Sequence, residues 1–180
     1  MNRRGKVDRV PTQVVARDWL SANLDVNAEI RVDSAFSRVL RHLVEHTQMV
    51  AVSLIAAIAL AVPLGVVAAR RRVLGQGILG VVGILQTVPA IAMLVFMIPL
   101  LGLGFMPAVA ALFLYSLLPV VRITHAGLVG IPQSVRDSAE ALGLPRGARL
   151  RRIELPLAGR SILAGVKTAA VINVGTATLG

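Results

Sequence analysis

The chain of 180 residues contains no cysteine, so neither a disulfide nor a thiolate metal site can contribute to it. It has no Walker-type GxxxxGKS/T sequence, which argues against a nucleotide site in this chain. Aromatic residues make up only 3% of the composition, too few for a platform on which nucleic-acid bases stack. The formal charge of +10 therefore indicates no nucleic-acid partner, since most basic residues flank apolar segments.

Long apolar runs dominate what is present, because 56% of the residues are hydrophobic and the mean hydropathy is +0.76. A spanning helix needs about 20 apolar residues. The stretches that come close to or exceed this length are 47–69, 77–101, 103–121 and 161–180. A soluble bundle would show polar helix faces, and none is visible. The sequence predicts an all-α polytopic membrane helix bundle over residues 47–180. Residues 1–46 are predicted to be a polar N-terminal tail, in which 34–45 is expected to form an amphipathic helix on the membrane surface after a mobile segment.

Basic residues set the predicted topology. The triple arginine at 70–72 directly follows the first predicted span, and the loop of residues 122–160 is rich in arginine. By the positive-inside rule, both segments lie in the cytoplasm and the uncharged turn at Gly102 lies outside. The N-terminus is then outside as well, an assignment that Arg38 and Arg41 oppose because they lie close to the first span.

Acidic residues are missing from the whole stretch between His46 and Arg136. Carriers driven by protons or sodium keep ionisable groups at membrane depth, where such groups are costly and functional. The chain therefore shows no ion-coupling chemistry of its own. The energy for any transport would come from another protein.

Proline and polar residues interrupt the apolar stretches. Pro89 removes a backbone hydrogen bond within the second predicted span, and Gln86 and Thr87 precede it. Carbonyls freed in a membrane need protein or water to satisfy them. One interpretation is a polar face with Gln86, Thr87, Pro89 and Asn173 as candidate residues of a translocation path. The other is a packing kink in which Gln86 bonds to a neighbouring helix.

An arginine-rich loop is the most informative part of the sequence, and it reads DSAEALGLPRGARLRRIELP over residues 137–156. Ser134 is positioned to cap a helix with an acid three residues later, a variant of the capping box. The predicted helix 135–142 ends at a left-handed Gly143, and Pro145 begins a second short helix that the closing proline ends. The pattern predicts two short helices joined at a glycine elbow, suited to docking on another protein. The alternative is an amphipathic connector on the membrane surface.

The spacing of this loop resembles the EAA loop of ABC importer permeases, in which Glu-Ala-Ala precedes three residues, Gly, nine residues and Ile-x-Leu-Pro. The matching positions here are Asp137, Ser138, Ala139, Gly143, Ile153, Leu155 and Pro156. Asp137 and Ser138 depart from the family's Glu and Ala. In that family the loop is the cytoplasmic element that docks on the ATPase subunit. The resemblance therefore implies that these residues couple the chain to an ATPase.

Over about residues 47–180 the chain resembles, more narrowly, the permeases of osmoprotectant importers for glycine betaine, carnitine and choline. LQTVPA at 85–90 and GTATLG at 175–180 carry this narrower likeness. It implies a type I importer in the cytoplasmic (inner) membrane, with a second permease subunit in a homodimer or heterodimer, ATPase subunits that bind the ATP, and an extracytoplasmic solute-binding protein. It implies alternating access, with no enzyme activity and no cofactor in this chain. Because the family continues for at least one more span, the fold is expected to lack its last span.

Three other interpretations stay open on the sequence. The permease could serve another small solute, such as an amino acid. The chain could be a non-transporting membrane scaffold or a channel, although a channel needs rings of polar residues that these spans scarcely offer. It could also be a truncated inactive fragment.

Overall fold

The computed structural model describes two parts of the chain, residues 12–24 and 35–178. It divides the chain into two units, 1–43 and 44–180. Every regular element within the described residues is helical, which confirms the predicted all-α class. In chain order the elements are α1 Thr12–Leu24, α2 Ala35–Arg70, α3 Arg72–Thr87, α4 Ala90–Leu101, α5 Phe105–Val129, α6 Gln133–Ala141, α7 Arg146–Arg149, a π-helical segment Leu150–Glu154, and α8 Leu155–Ala177.

The N-terminal residues differ from their prediction in two ways. Part of the segment expected to be a mobile tail is helix α1, whereas residues 1–11 and 25–34 lie outside the described residues. The amphipathic helix predicted over 34–45 is not a separate element, because α2 is unbroken for 36 residues. α2 therefore joins the predicted surface helix and the first predicted span in one helix.

Three helices of the described chain are long and apolar enough to cross a bilayer. They are Phe36–Arg70, Phe105–Val129 and Arg146–Ala177. The second predicted span, 77–101, is not a single helix, because α3 and α4 meet at a bend of 97°. The break lies at Val88, which is extended with φ −76° and ψ 126° and precedes Pro89. The proline ring drives the preceding residue out of the helical conformation, and proline has no N–H to continue the helix. Pro63 and Pro119, by contrast, lie inside unbroken helices.

α5 is at the centre of the packing in the second unit. The buried cluster around it contains Ala57, Ala61, Val82, Leu117, Val120, Val121 and Ala169. A Cβ added at Gly65 would lie 2.6 Å from the Cβ of Thr124, and one at Gly165 would lie 3.2 Å from the carbonyl oxygen of Pro119. Glycine thus allows both α2 and α8 to approach α5 closely. At Gly175, by contrast, no atom lies within 4 Å of an added Cβ.

The outer faces of the second unit stay apolar. Ile55, Ile84 and Leu163, on three different helices, are 68%, 68% and 67% exposed. In water such faces would favour burial, whereas in a bilayer they contact lipid chains. The apolar exterior is therefore what a membrane bundle requires.

Candidate coupling site

The predicted docking loop forms two short helices after α5. α6 follows Pro132, and no side chain caps its first turn. The predicted cap at Ser134 is wrong, because the fixed φ of Pro132 starts the helix two residues earlier. Ser134 lies inside α6, where its carbonyl accepts a hydrogen bond from the Ser138 hydroxyl at 2.9 Å. Asp137 accepts a hydrogen bond from the side-chain amide of Gln133, one turn earlier, at 2.8 Å.

A left-handed glycine turns the chain between the two helices, as predicted. Gly143 has φ +72°, and its N–H donates to the carbonyl of Glu140 at 2.9 Å. The N–H of Leu144 donates to the carbonyl of Ala139 at 3.2 Å, which completes the bond pair of a Schellman turn. No heavy atom lies within 4 Å of a Cβ added at Gly143. The backbone conformation, and not lack of space, therefore requires this glycine.

Most residues around the turn at Gly143 are exposed, and one residue of α6 is buried. Asp137, Ser138 and Gly143 are exposed, whereas Ala139 is buried. Leu142 is 79% exposed, and the sequence analysis missed it. Burying this side chain against a partner would favour association through the hydrophobic effect. Its only sequence signal is an apolar residue beside the elbow glycine in a polar helix.

The second short helix does not end where the sequence predicted. α7 follows Pro145 and continues through the π-helical segment directly into α8. Pro156 lies in the first turn of α8, where the missing N–H is tolerated. Ile153, Leu155 and Pro156, the closing positions of the matched pattern, are therefore part of a continuous helix that leads into the last span.

One buried acid, which the sequence analysis missed, joins this site to the first span. The Glu154 side chain is 10% exposed; its Oε2 accepts a hydrogen bond from Arg70 Nη2 at 2.9 Å. Its Oε1 lies 3.4 Å from Arg149 Nε, an ion pair without hydrogen-bond geometry. Arg149 Nη1 also donates to Glu140 of α6 at 3.1 Å. These charges link α2, α6 and the π-helical segment. The sequence signal is that Glu154 is the only acid after Glu140.

Three of the four candidate path residues lie at the break between α3 and α4. The side-chain amide of Gln86 donates to the backbone carbonyl of Tyr115 at 3.2 Å, and the Tyr115 hydroxyl donates to the carbonyl of Val88. Gln86 therefore bonds to a neighbouring helix, as the packing-kink interpretation expected. Thr87 and Pro89 are exposed. Tyr115, which the sequence analysis did not single out, satisfies a carbonyl at the break.

The fourth candidate, Asn173, lies inside the bundle. It is 0% exposed, and its amide donates to the Ser53 hydroxyl of α2 at 3.1 Å. Its Oδ1 accepts a hydrogen bond from the Ser116 hydroxyl of α5 at 2.9 Å. Because Ser116 follows Tyr115, Asn173 lies at about the depth of the break. In this structure it gives no surface to a path and instead joins three helices.

The chain is similar to several osmoprotectant permeases. It is 42% identical over 135 residues to the choline transport system permease protein OpuBB of Bacillus subtilis, covering 75% of this chain and 62% of that protein. The glycine betaine/carnitine/choline transport system permease protein OpuCB of the same organism is 39% identical over 135 residues, with the same shares. The osmoprotectant import permease protein OsmW of Salmonella typhimurium is 42% identical over 136 residues, 73% of this chain and 63% of that protein. The chain thus spans 62% to 63% of these relatives' length.

The fold is similar to that of a solved transporter subunit. The match is to a chain of the MetNI methionine ABC transporter in inward-facing conformations, with a TM-score of 0.69 and 22% identity, covering 79% of this chain and 72% of that chain. The bundle is therefore of the ABC importer transmembrane-domain type. Residues 61–180 match the family described as "Binding-protein-dependent transport system inner membrane component". With this match, the chain belongs to the family of inner membrane components of binding-protein-dependent transport systems.

Proposed function

We propose that this chain is the membrane-spanning permease subunit of an ATP-driven importer, and that α6 and the Gly143 elbow dock on a separate ATPase subunit. The observation that carries the proposal is that the turn between α6 and α7 is exposed while ion pairs hold the residues that follow it to α2. Leu142 and Gly143 are exposed, while the ion pairs of Glu154 tie the same segment to α2. The segment also continues as helix into α8. A displacement of this segment is therefore carried to α2 through the Arg70–Glu154 ion pair and to α8 through the continuous helix.

The proposed mechanism is alternating access in the cytoplasmic membrane. We assign ATP binding and hydrolysis to the partner ATPase, because this chain has no Walker-type sequence. Closure of the ATPase pair displaces the elbow, and the Glu140–Arg149 ion pair passes the motion to α7. α8 then moves with α7 as one helix. A second permease subunit, identical or related, completes the path, and an external binding protein delivers the solute.

The proposed solutes are osmoprotectants such as glycine betaine, carnitine or choline. The support comes from relatives named for these compounds, which are 39% to 42% identical to this chain. Quaternary ammonium groups are recognised by aromatic cages. The chain has one Trp and one Tyr, and Tyr115 is bonded at the helix break. We therefore assign solute selection to the external binding protein.

Co-purification with the candidate ATPase tests the docking. Gly143→Val should abolish it, because a β-branched residue at φ +72° costs on the order of 1–2 kcal/mol and reshapes the elbow. Gly143→Asn should retain the ATPase, since asparagine tolerates the left-handed conformation. Gly147→Val is the matched control, because Gly147 lies in α7 with no atom within 4 Å of an added Cβ.

Two results would contradict the proposal. If Gly143→Val holds the ATPase as well as wild type does, the elbow is not the docking element. If wild-type chain inserts in the membrane but holds no ATPase, the scaffold interpretation is favoured instead. Uptake of labelled choline, glycine betaine, carnitine and an amino acid by cells that express the chain with its ATPase then identifies the solute.

A further inference from the structure

A cavity of about 480 Å³ lies behind the coupling site, where the end of α2 meets α6 and α7. Its charged lining residues are Arg70, Arg71, Arg136, Arg146, Arg149 and Glu154. Ala69 and Leu128, near the ends of two spanning helices, also line it. The cavity therefore places a strongly positive wall at the end of the bundle that the positive-inside rule assigns to the cytoplasm.

Most of this positive charge has no counter-charge within the described residues. Glu154, the only acid in the wall, is already shared by two arginines. The side chains of Arg71 and Arg146 form no ion pair in the described part of the chain. Arg136 Nη2 donates to the carbonyl of Leu128 at 2.6 Å, but its buried Nε has no hydrogen-bond acceptor among the described residues. A buried donor without a partner is accounted for by an acceptor outside the described residues, such as a bound ion or water.

A phosphate group has the chemistry that this wall requires. Guanidinium groups donate paired hydrogen bonds to phosphate oxygens, and such charge-assisted bonds are the strong ones. Basic pockets at the cytoplasmic ends of spanning helices are also where anionic lipid headgroups bind. We propose that the cavity binds a phosphate group, carried by an anionic phospholipid or by a soluble phosphate, and that this phosphate bridges Arg71 and Arg146. The site joins the end of the first span to the base of the coupling site.

Binding of two probes to the purified full chain, without any ATPase, tests this proposal. The first probe is phosphatidylglycerol added to delipidated protein and counted by native mass spectrometry, with phosphatidylcholine as its comparison. The second is inorganic phosphate, titrated at constant ionic strength while the melting temperature is followed. The double variant Arg71→Gln/Arg146→Gln removes two cavity charges. Its matched control is Arg151→Gln/Arg152→Gln, which removes two exposed charges outside the cavity.

We expect the cavity variant to weaken binding by at least about tenfold, and the control to change it less than about twofold. Selective retention of phosphatidylglycerol identifies a lipid headgroup, and a saturable phosphate effect identifies a soluble ligand. Both support a phosphate site. Equal binding by wild type and the cavity variant overturns the proposal, as does an equal loss in the control. Since both cavity side chains are exposed, the variant should fold; if it does not, Arg71→Gln and Arg146→Gln are compared singly.

Discussion

Arg70 Nη2 donates a hydrogen bond to Glu154 Oε2 at 2.9 Å, across 84 residues of sequence. The bond joins the last residue of α2 to the last residue of the π-helical segment. The Arg70 side chain is 34% exposed and that of Glu154 only 10%. One nearly buried acid therefore anchors α2 and the π-helical segment to each other.

Replacing this acid should loosen the anchor. We expect Glu154→Gln to lower the free energy of unfolding by about 1–3 kcal/mol, because it leaves Arg70 without its counter-charge and Arg149 with only the exposed Glu140, in an already positive cavity. Denaturation of the purified chain in detergent measures the change. Glu140→Gln is the matched control, because Glu140 also contacts Arg149 but its side chain is 77% exposed. The control should change stability by less than about 1 kcal/mol. If Glu154→Gln and Glu140→Gln lower the free energy of unfolding equally, burial of the acid does not determine how much its ion pairs stabilise the chain.

The elbow at Gly143 could be predicted from the sequence because its signals are local. A glycine after a short polar helix, followed by Pro145, predicts a left-handed turn, and Gly143 adopts it. The same reasoning placed the helix start at Ser134 and missed the effect of Pro132. The role of Glu154 could not be predicted, because its partner Arg70 is distant in sequence and only the folded bundle brings them together.

The prolines in the apolar stretches also show that contacts between residues distant in sequence could not be predicted. Pro63, Pro89 and Pro119 have the same local chemistry, yet of these only Pro89 breaks its helix in the described chain. At the break the hydroxyl of Tyr115, 27 residues along the chain, donates to the carbonyl of Val88, a contact that only the folded bundle creates. Asn173 was a reasonable candidate for a path, but two serine partners on other helices keep it buried.

The hydrogen bonds of Asn173 predict a measurable loss of stability. We expect Asn173→Ala to cost about 1–2 kcal/mol, because it removes two interhelical hydrogen bonds. Ser53 keeps its bond to a carbonyl of its own helix, and the Ser116 hydroxyl can donate to a carbonyl of its own helix once Asn173 is gone, which limits the cost. Thr168→Ala is the control, since the exposed Thr168 hydroxyl bonds only within α8. Thermal melting in detergent compares the two, and a change in the control as large as that of Asn173→Ala would remove the explanation.

The close approach of α2 and α5 predicts that a methyl group added at their contact destabilises the bundle. A methyl group added at an open glycine elsewhere should not. Gly65→Ala should destabilise the bundle by about 1–3 kcal/mol, because its Cβ would lie 2.6 Å from the Cβ of Thr124. Gly80→Ala should be neutral or stabilise by up to about 1 kcal/mol, since no atom lies within 4 Å and alanine favours helix. Melting temperatures in detergent test this. The packing interpretation fails if the melting temperatures of both variants shift in the same direction by the same amount.

The bond from Tyr115 to the break between α3 and α4 predicts that this single hydroxyl holds the bend. In Tyr115→Phe the carbonyl of Val88 loses its donor, so the angle between the helices should vary more. Because the chain has no cysteine, spin labels can be attached at Val81→Cys and Val95→Cys alone, both on exposed positions of the two helices. We expect a broader distance distribution between the labels in Tyr115→Phe than in wild type.

Thr87→Val is the control for this measurement, because the exposed Thr87 hydroxyl bonds to the carbonyl of Ile84 within its own helix. It removes one hydroxyl next to the same break, but no bond that crosses to α5. Its distance distribution should match that of wild type. If Tyr115→Phe gives an unchanged width, the proline and the packing around it hold the bend without the tyrosine. If both variants broaden equally, any lost hydroxyl near the break suffices, and Tyr115 has no special role.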